Sequence, residues 1–290
     1  MPASTPHPKD NKPRGKWPAK FGIPRKTNIS LDYSFWDKLQ AIFKHRKEFW
    51  NAGWHAIVAR QEHIIIDNEY RPKLSASLGE YLNWYLTDKG FLHSIDWMGI
   101  PTLKMITDIW VYQEIIFETK PDLIIEIGSF YGGSTLFLAQ MQELLGHGEV
   151  LSIDVSHDYF LAEHSRIIKI TGDCSSVTVL DQVRQLATGK TVMLIHDGDH
   201  TALAVERDLR LYADFVSPGM YMIIEDGAVD LLNPKYSKLG NAYPEGGPLK
   251  AARKVYEEMK DRFELDMRRE RFILTTNPNG YWRRKLTVKS

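Results

Sequence analysis

Residues Asp122-Leu-Ile-Ile-Glu126-Ile-Gly128-Ser-Phe-Tyr-Gly132-Gly133-Ser134 decide the fold. The first six form a nearly continuous apolar run of strand length, and Leu136, Phe137, Ala139 and Leu144 then recur at helical spacing. The reading is a strand, a glycine turn and a helix. In open parallel sheets ligands bind beyond the carboxyl ends of the strands, where glycines admit a cofactor close to the backbone. A pyrophosphate-binding turn has closely spaced glycines, G-x-G-x-x-G, whereas Gly128 and Gly132 stand four apart. Glu126 would repel a pyrophosphate and suits the ammonium end of a methionine moiety. The expectation is a phosphate-free nucleoside cofactor at Glu126, Gly128, Ser129, Tyr131, Gly132 and Ser134.

Working outward, short β-rich apolar runs alternate with helical segments from about residue 105 to the end. The expected strands are 122–127, 149–154, 167–171, 191–196 and 220–225, each apolar on both faces, as in a parallel sheet covered by helices. Phe263–Asp266 and Phe272–Thr276 are expected to pair as an antiparallel C-terminal hairpin around Arg268–Arg271, giving seven strands. Asp154, at the end of the second strand, can accept from both ribose hydroxyls. Asp173, after the third, can accept from an adenine amine, with Cys174 and Ser175 backbone groups nearby. Each acid has a simpler use as a helix cap.

The fourth strand ends in His196-Asp197-Gly198-Asp199-His200 and the fifth in Glu225-Asp226-Gly227. Carboxylates at neighbouring strand tips repel, and a divalent cation with oxygen ligands resolves the repulsion. Asp197, Glu225 and Asp226 are the expected Mg2+ ligands. Zinc is disfavoured because its structural sites want several cysteines. A metal that holds a hydroxyl lowers its pKa, and His200, one turn beyond Asp197, is the expected base, with Asp197 also in the catalytic set. His196 is less favoured because it ends a buried strand.

Thirty-seven basic residues balance thirty-seven acidic ones, so no global field recruits nucleic acid or an anionic membrane. The single cysteine, Cys174, excludes an internal disulfide and suits a reducing cytoplasm. No apolar run is long enough for a spanning helix. Residues 1–27, with six prolines and seven Lys/Arg against Asp10, read as a flexible basic arm. Residues 28–104 read as an N-terminal helical accessory region. Within it Phe35, Trp36, Leu39, Ile42, Phe43, Phe49 and Trp50 make an amphipathic helix, expected to pack against the main domain or another subunit, with peripheral membrane contact as the alternative. Residues 105–290 hold the catalytic domain. Residues 228–247 read as a long loop beside the metal rim, whose Tyr236 and Tyr243 either stack on substrate or pack the loop.

Between Trp97 and Arg284 the chain resembles the cephalosporin hydroxylase and rhamnosyl O-methyltransferase family, to which macrolide-sugar O-methyltransferases are related. The residues that carry the resemblance are Trp97-Met-Gly99-Ile-Pro-Thr-Leu-Lys104, Tyr112-Gln113-Glu114, the glycine turn, Asp197-x-Asp199-His200, Glu225-Asp226, Glu245-Gly-Gly-Pro248 and Asn279-Gly-Tyr-Trp-Arg-Arg284. The resemblance implies a Rossmann-like class I methyltransferase fold, S-adenosylmethionine along the glycine turn, Mg2+ on Asp197, Glu225 and Asp226, and His200 as base. It also implies a small-molecule or glycan acceptor and a homo-oligomer. Rival readings are a natural-product hydroxylation assistant, which lacks a facial-triad or flavin signature, and a non-catalytic module, against which the intact acidic set speaks.

Overall fold

The computed structural model describes residues 81–82, 84–86, 94–232 and 242–286. All of them fall in one compact unit, residues 58–290. The basic arm, the amphipathic segment from Ser34 and Tyr236 lie outside the described residues.

A short hairpin, β1 (Asp96–Trp97) and β2 (Ile100–Pro101), precedes α1 (Ile106–Thr119). The order is then β3 (Leu123–Ile127), α2 (Gly133–Leu145), β4 (Glu149–Asp154), β5 (Ile167–Thr171), α3 (Val177–Ala187), β6 (Val192–His196), α4 (Ala202–Tyr212), β7 (Tyr221–Ile224), α5 (Pro248–Met259), β8 (Phe263–Leu265) and β9 (Tyr281–Arg284). Seven strands form one sheet in the order β5-β4-β3-β6-β7-β9-β8. The first five run parallel, and β9 is antiparallel to both β7 and β8. This is the class I methyltransferase arrangement.

Alternation along β3 shows why the strand is apolar apart from Glu126. Leu123, Ile125 and Ile127 pack with Val183 of α3, Leu209 of α4 and Val255 of α5 on one face. Ile124 packs with Ile115 of α1 and Phe137 of α2 on the other. Each such side chain contributes about 1.5–3 kcal/mol on burial, so both helical layers are held by the sheet between them.

The expected hairpin partner is corrected. Tyr281–Arg284, rather than Phe272–Thr276, forms the strand between β7 and β8. Tyr281 and Trp282 are fully buried, which a central strand position demands. In the 272–276 segment Ile273 has φ 67°, and Thr275 and Thr276 spend their polar groups on buried Asp108 instead of on a ladder. The rim loop is shorter than expected as well, since Gly227–Leu231 forms a 3-10 helix.

Candidate active site

The parallel register places the site. Ile127 lies opposite His196, and His196 opposite Ile224, so the glycine turn, Asp197 and Glu225 emerge side by side at one edge. Gly128 has φ +83°, and a Cβ there would lie 2.1 Å from the Asp197 carbonyl oxygen. Only glycine lets these two tips meet. Gly133 plays the same part for the approaching hairpin, because its Cβ would lie 2.4 Å from the Pro101 carbonyl oxygen. Residues 101–104 thereby lie against the first turn of α2.

A cavity of about 570 Å3 opens over the turn, a size that suits a nucleoside cofactor. Gly128, Ser129, Tyr131, Ser134, Asp154, Asp173 and Cys174 line it, as expected from sequence, and so do Asp197 and Asp199. Glu126 and Gly132 do not line it. Glu126 is buried behind the wall, where the Thr135 hydroxyl donates to its Oε2, and burial pushes its carboxyl up to about 7 against the pull of Lys104. A Cβ on Gly132 would press on the Phe160 ring rather than on a ligand. The cavity also includes Pro101, Thr102, Leu103 and Arg207, which sequence reasoning left out. The quoted Trp97–Lys104 motif was the signal for the first three.

The cofactor-side acids are already engaged. Asp154 Oδ2 accepts the amides of Ser129 at 2.9 Å and Phe130 at 3.1 Å, and thus holds the glycine turn. Asp173 Oδ1 accepts from the Ser175 amide and hydroxyl, both at 2.8 Å. Neither caps a helix, because Ser176 caps α3 and Thr201 caps α4. Asp199 Oδ1 orders the turn ahead of Thr201 at 2.8 Å. Cys174 donates to Asp208 Oδ2 at 3.3 Å, and burial with the Asp208 charge pushes its thiol up to about 12.

The acidic rim is held differently. Lys104, 4% exposed, donates from Nζ to Glu225 Oε2 at 2.6 Å and to Asp197 Oδ2, so one ammonium joins the tips of β6 and β7. His200 Nε2 lies 3.3 Å from both Asp197 Oδ1 and Asp226 Oδ2. Ligand atoms of Asp197, His200 and Asp226 fall within 4.8 Å of one another. Glu225 Oε1 is buried without a hydrogen-bond partner among the described residues.

These contacts set the charges. Burial opposes the Asp197 charge, but Lys104 and His200 outweigh it and hold the carboxyl down at about 2. Glu225 is more deeply buried and faces Asp197 and Asp226 with Lys104 alone to balance them, so its pKa is raised. Burial lowers His200, yet its hydrogen bonds to Asp197 and Asp226 push it up to about 11. His196, 1% exposed, pairs with Asp208 at 3.0 Å and is a core residue. Tyr243 stands 6.3 Å from His200, ring centre to ring centre. Lys104 is the residue that sequence reasoning placed in a motif without giving it a task.

Comparison with known proteins shows the family. The model of the family described as Rhamnosyl O-methyltransferase/CmcI matches residues 89–285. The Rhamnosyl O-methyltransferase of Mycobacterium leprae (strain TN) is 33% identical over 223 residues, covering 74% of this chain and 93% of that one. Its counterpart from Mycobacterium tuberculosis (strain ATCC 25618 / H37Rv) is 30% identical over 220 residues, covering 73% and 86%. Among solved structures the apo structure of CmcI aligns with a TM-score of 0.50 at 22% identity, over 69% of this chain and 81% of that one, which shows a shared fold. With its topology, its glycine turn and its acidic rim all on one sheet edge, this chain belongs to the Rhamnosyl O-methyltransferase/CmcI family.

Proposed function

We propose that the chain is an S-adenosylmethionine- and Mg2+-dependent O-methyltransferase acting on a sugar hydroxyl of a glycolipid, surface glycan or glycosylated natural product. One observation carries the reading: the acids at the tips of β6 and β7 converge where the cofactor-sized cavity ends on Asp197. The relatives named rhamnosyl O-methyltransferases support a sugar as the acceptor.

The residues fit a dication. Asp197, Glu225 and Asp226 bring three carboxyl groups with hard oxygen ligands, and a dication on them would replace the positive charge that His200 now supplies to Asp197 and Asp226. Glu225 Oε1, buried without a hydrogen-bond partner among the described residues, is an oxygen that such an ion could engage. When bound, S-adenosylmethionine supplies a methyl on a sulfonium sulfur, and the dication lowers the pKa of a hydroxyl that it holds.

The chain's own residues do the rest. Asp197, Glu225 and Asp226 hold the metal, and Gly128, Ser129, Tyr131, Ser134, Asp154, Asp173 and Cys174 hold the cofactor. Glu126 and Gly132 shape that wall from behind, through Thr135 and Phe160. His200 is held as a cation by two of the metal-binding acids; once those acids turn to a dication, its proton is released and the imidazole is free to accept the acceptor's proton. The rigid sheet edge aligns the groups, and such alignment matters as much as proton transfer in an in-line displacement. A cytoplasmic homo-oligomer, with residues 1–27 as arm and 28–104 as accessory region, belongs to the same reading. No described helix is long and apolar enough to cross a membrane.

The test is methyl transfer to a panel of deoxysugar glycosides. Chelation, or Asp197→Asn, should cut turnover about a thousandfold while S-adenosylhomocysteine affinity stays within about threefold. Undiminished turnover would end the metal reading.

A further inference from the structure

Asp226 sits in a left-handed conformation, φ 58° and ψ 21°, which is uncommon for a residue with a Cβ although aspartate adopts it more readily than most. The turn is held by the segment that failed to become a strand. Asn277 is completely buried, and its Oδ1 accepts the Asp226 amide hydrogen at 3.0 Å. Its Nδ2 donates to the Tyr112 hydroxyl of α1 at 2.9 Å, which fixes the way the amide faces. The Thr276 carbonyl accepts the Ala228 amide at 2.9 Å and so grips the far side of the same turn.

Asp108 anchors the clamp in turn. Its carboxylate accepts from the Thr276 amide at 2.9 Å, the Thr275 hydroxyl at 2.6 Å and the Tyr281 hydroxyl at 2.8 Å. A buried network so connected is rigid. Neither Asn277 nor Tyr112 lines the cofactor cavity; the network meets the rim at the turn that carries Asp226 and, through the Tyr112 hydroxyl, beside Glu225.

We propose that Asn277 is a positioning residue for the metal centre, holding Asp226 in the left-handed turn that brings its carboxylate to His200, beside Asp197. The inference rests on the metal-dependent reading above. It concerns pre-organisation of one ligand, and a residue that merely stabilised the fold would not single out the metal.

The experiment titrates Mn2+ into the full chain by electron paramagnetic resonance, alongside calorimetry with S-adenosylhomocysteine. Asn277→Leu keeps the branched shape, at a larger volume, and removes the acceptor, and it should weaken Mn2+ binding about tenfold. Tyr112→Phe removes one oxygen, frees the Asn277 amide to turn, and should weaken it about threefold. In both, S-adenosylhomocysteine affinity should stay within about twofold, and the amides at Asp226 and Gly227 should exchange hydrogen faster. If Asn277→Leu does not fold, Asn277→Ala, which removes the acceptor without adding volume and leaves Tyr112 beside Glu225, decides alone. Wild-type Mn2+ affinity in the folded variants, or an equal loss of both ligands, overturns the inference while the metal reading stands. A wild-type chain that binds no Mn2+ overturns both.

Discussion

The two halves of the ligand edge are built on opposite principles. At the tips of β3 and β4 the polar groups satisfy one another: Asp154 holds the glycine turn through backbone amides, and glycine shape makes the space. At the tips of β6 and β7 the groups are charged, and Lys104 and His200 must balance acids that repel one another. The first half is complete without an ion. The second keeps a buried carboxylate oxygen without a partner among the described residues, the kind of atom that is costly in a low-dielectric interior. A preformed half suits a cofactor recognised by shape and hydrogen bonds, and a charge-balanced half suits a cation that binds and leaves.

The largest expected break of this contrast is Lys104→Met. Removing one partner of a buried ionic cluster costs about 3–5 kcal/mol, and denaturant unfolding should show that loss in metal-free protein. Added Mg2+ should recover part of it, because the dication takes over the missing positive charge. Equal stability of the variant and wild type in chelator would mean that the second half does not depend on its counter-ion.

Gly128→Ala strikes the joint between the halves. A Cβ 2.1 Å from the Asp197 carbonyl oxygen, at a left-handed φ, should cost about 3 kcal/mol and weaken both S-adenosylhomocysteine and Mn2+ binding. Loss of only one ligand would show that the tips are less tightly coupled than their contact implies.

A smaller effect sharpens the contrast by pH. Glu126, raised by burial from 4.5 to about 7, binds its proton more tightly folded than unfolded, so its contribution falls as pH rises through that interval. Between about pH 5 and about pH 6.5 wild type should lose about 2 kcal/mol relative to Glu126→Gln, read from parallel unfolding curves. A difference that stays flat across the interval would remove the buried proton from this half.

Much of this was legible in the chain. The strand, glycine turn and helix around Gly128 depend on local periodicity, and both faces of β3 are buried as its apolar run, interrupted at Glu126, requires. The convergence of Asp197 with Glu225 was legible too, since residues that end adjacent parallel strands must share an edge. The C-terminal strand was misassigned because Phe272–Thr276 has strand composition, while its threonines are drawn to Asp108 in α1, 167 and 168 residues away in the chain.

By itself, then, the sequence determined the α/β architecture, the ligand edge and the identity of its acids, because strand length, apolar period and strand-end residues are local properties. Only the tertiary structure decided that Lys104 is the counter-ion of the rim and that Asn277 grips Asp226. Both depend on segments far apart in the chain meeting in a water-excluded interior, where a buried charge or amide must find a partner and no local pattern names which one.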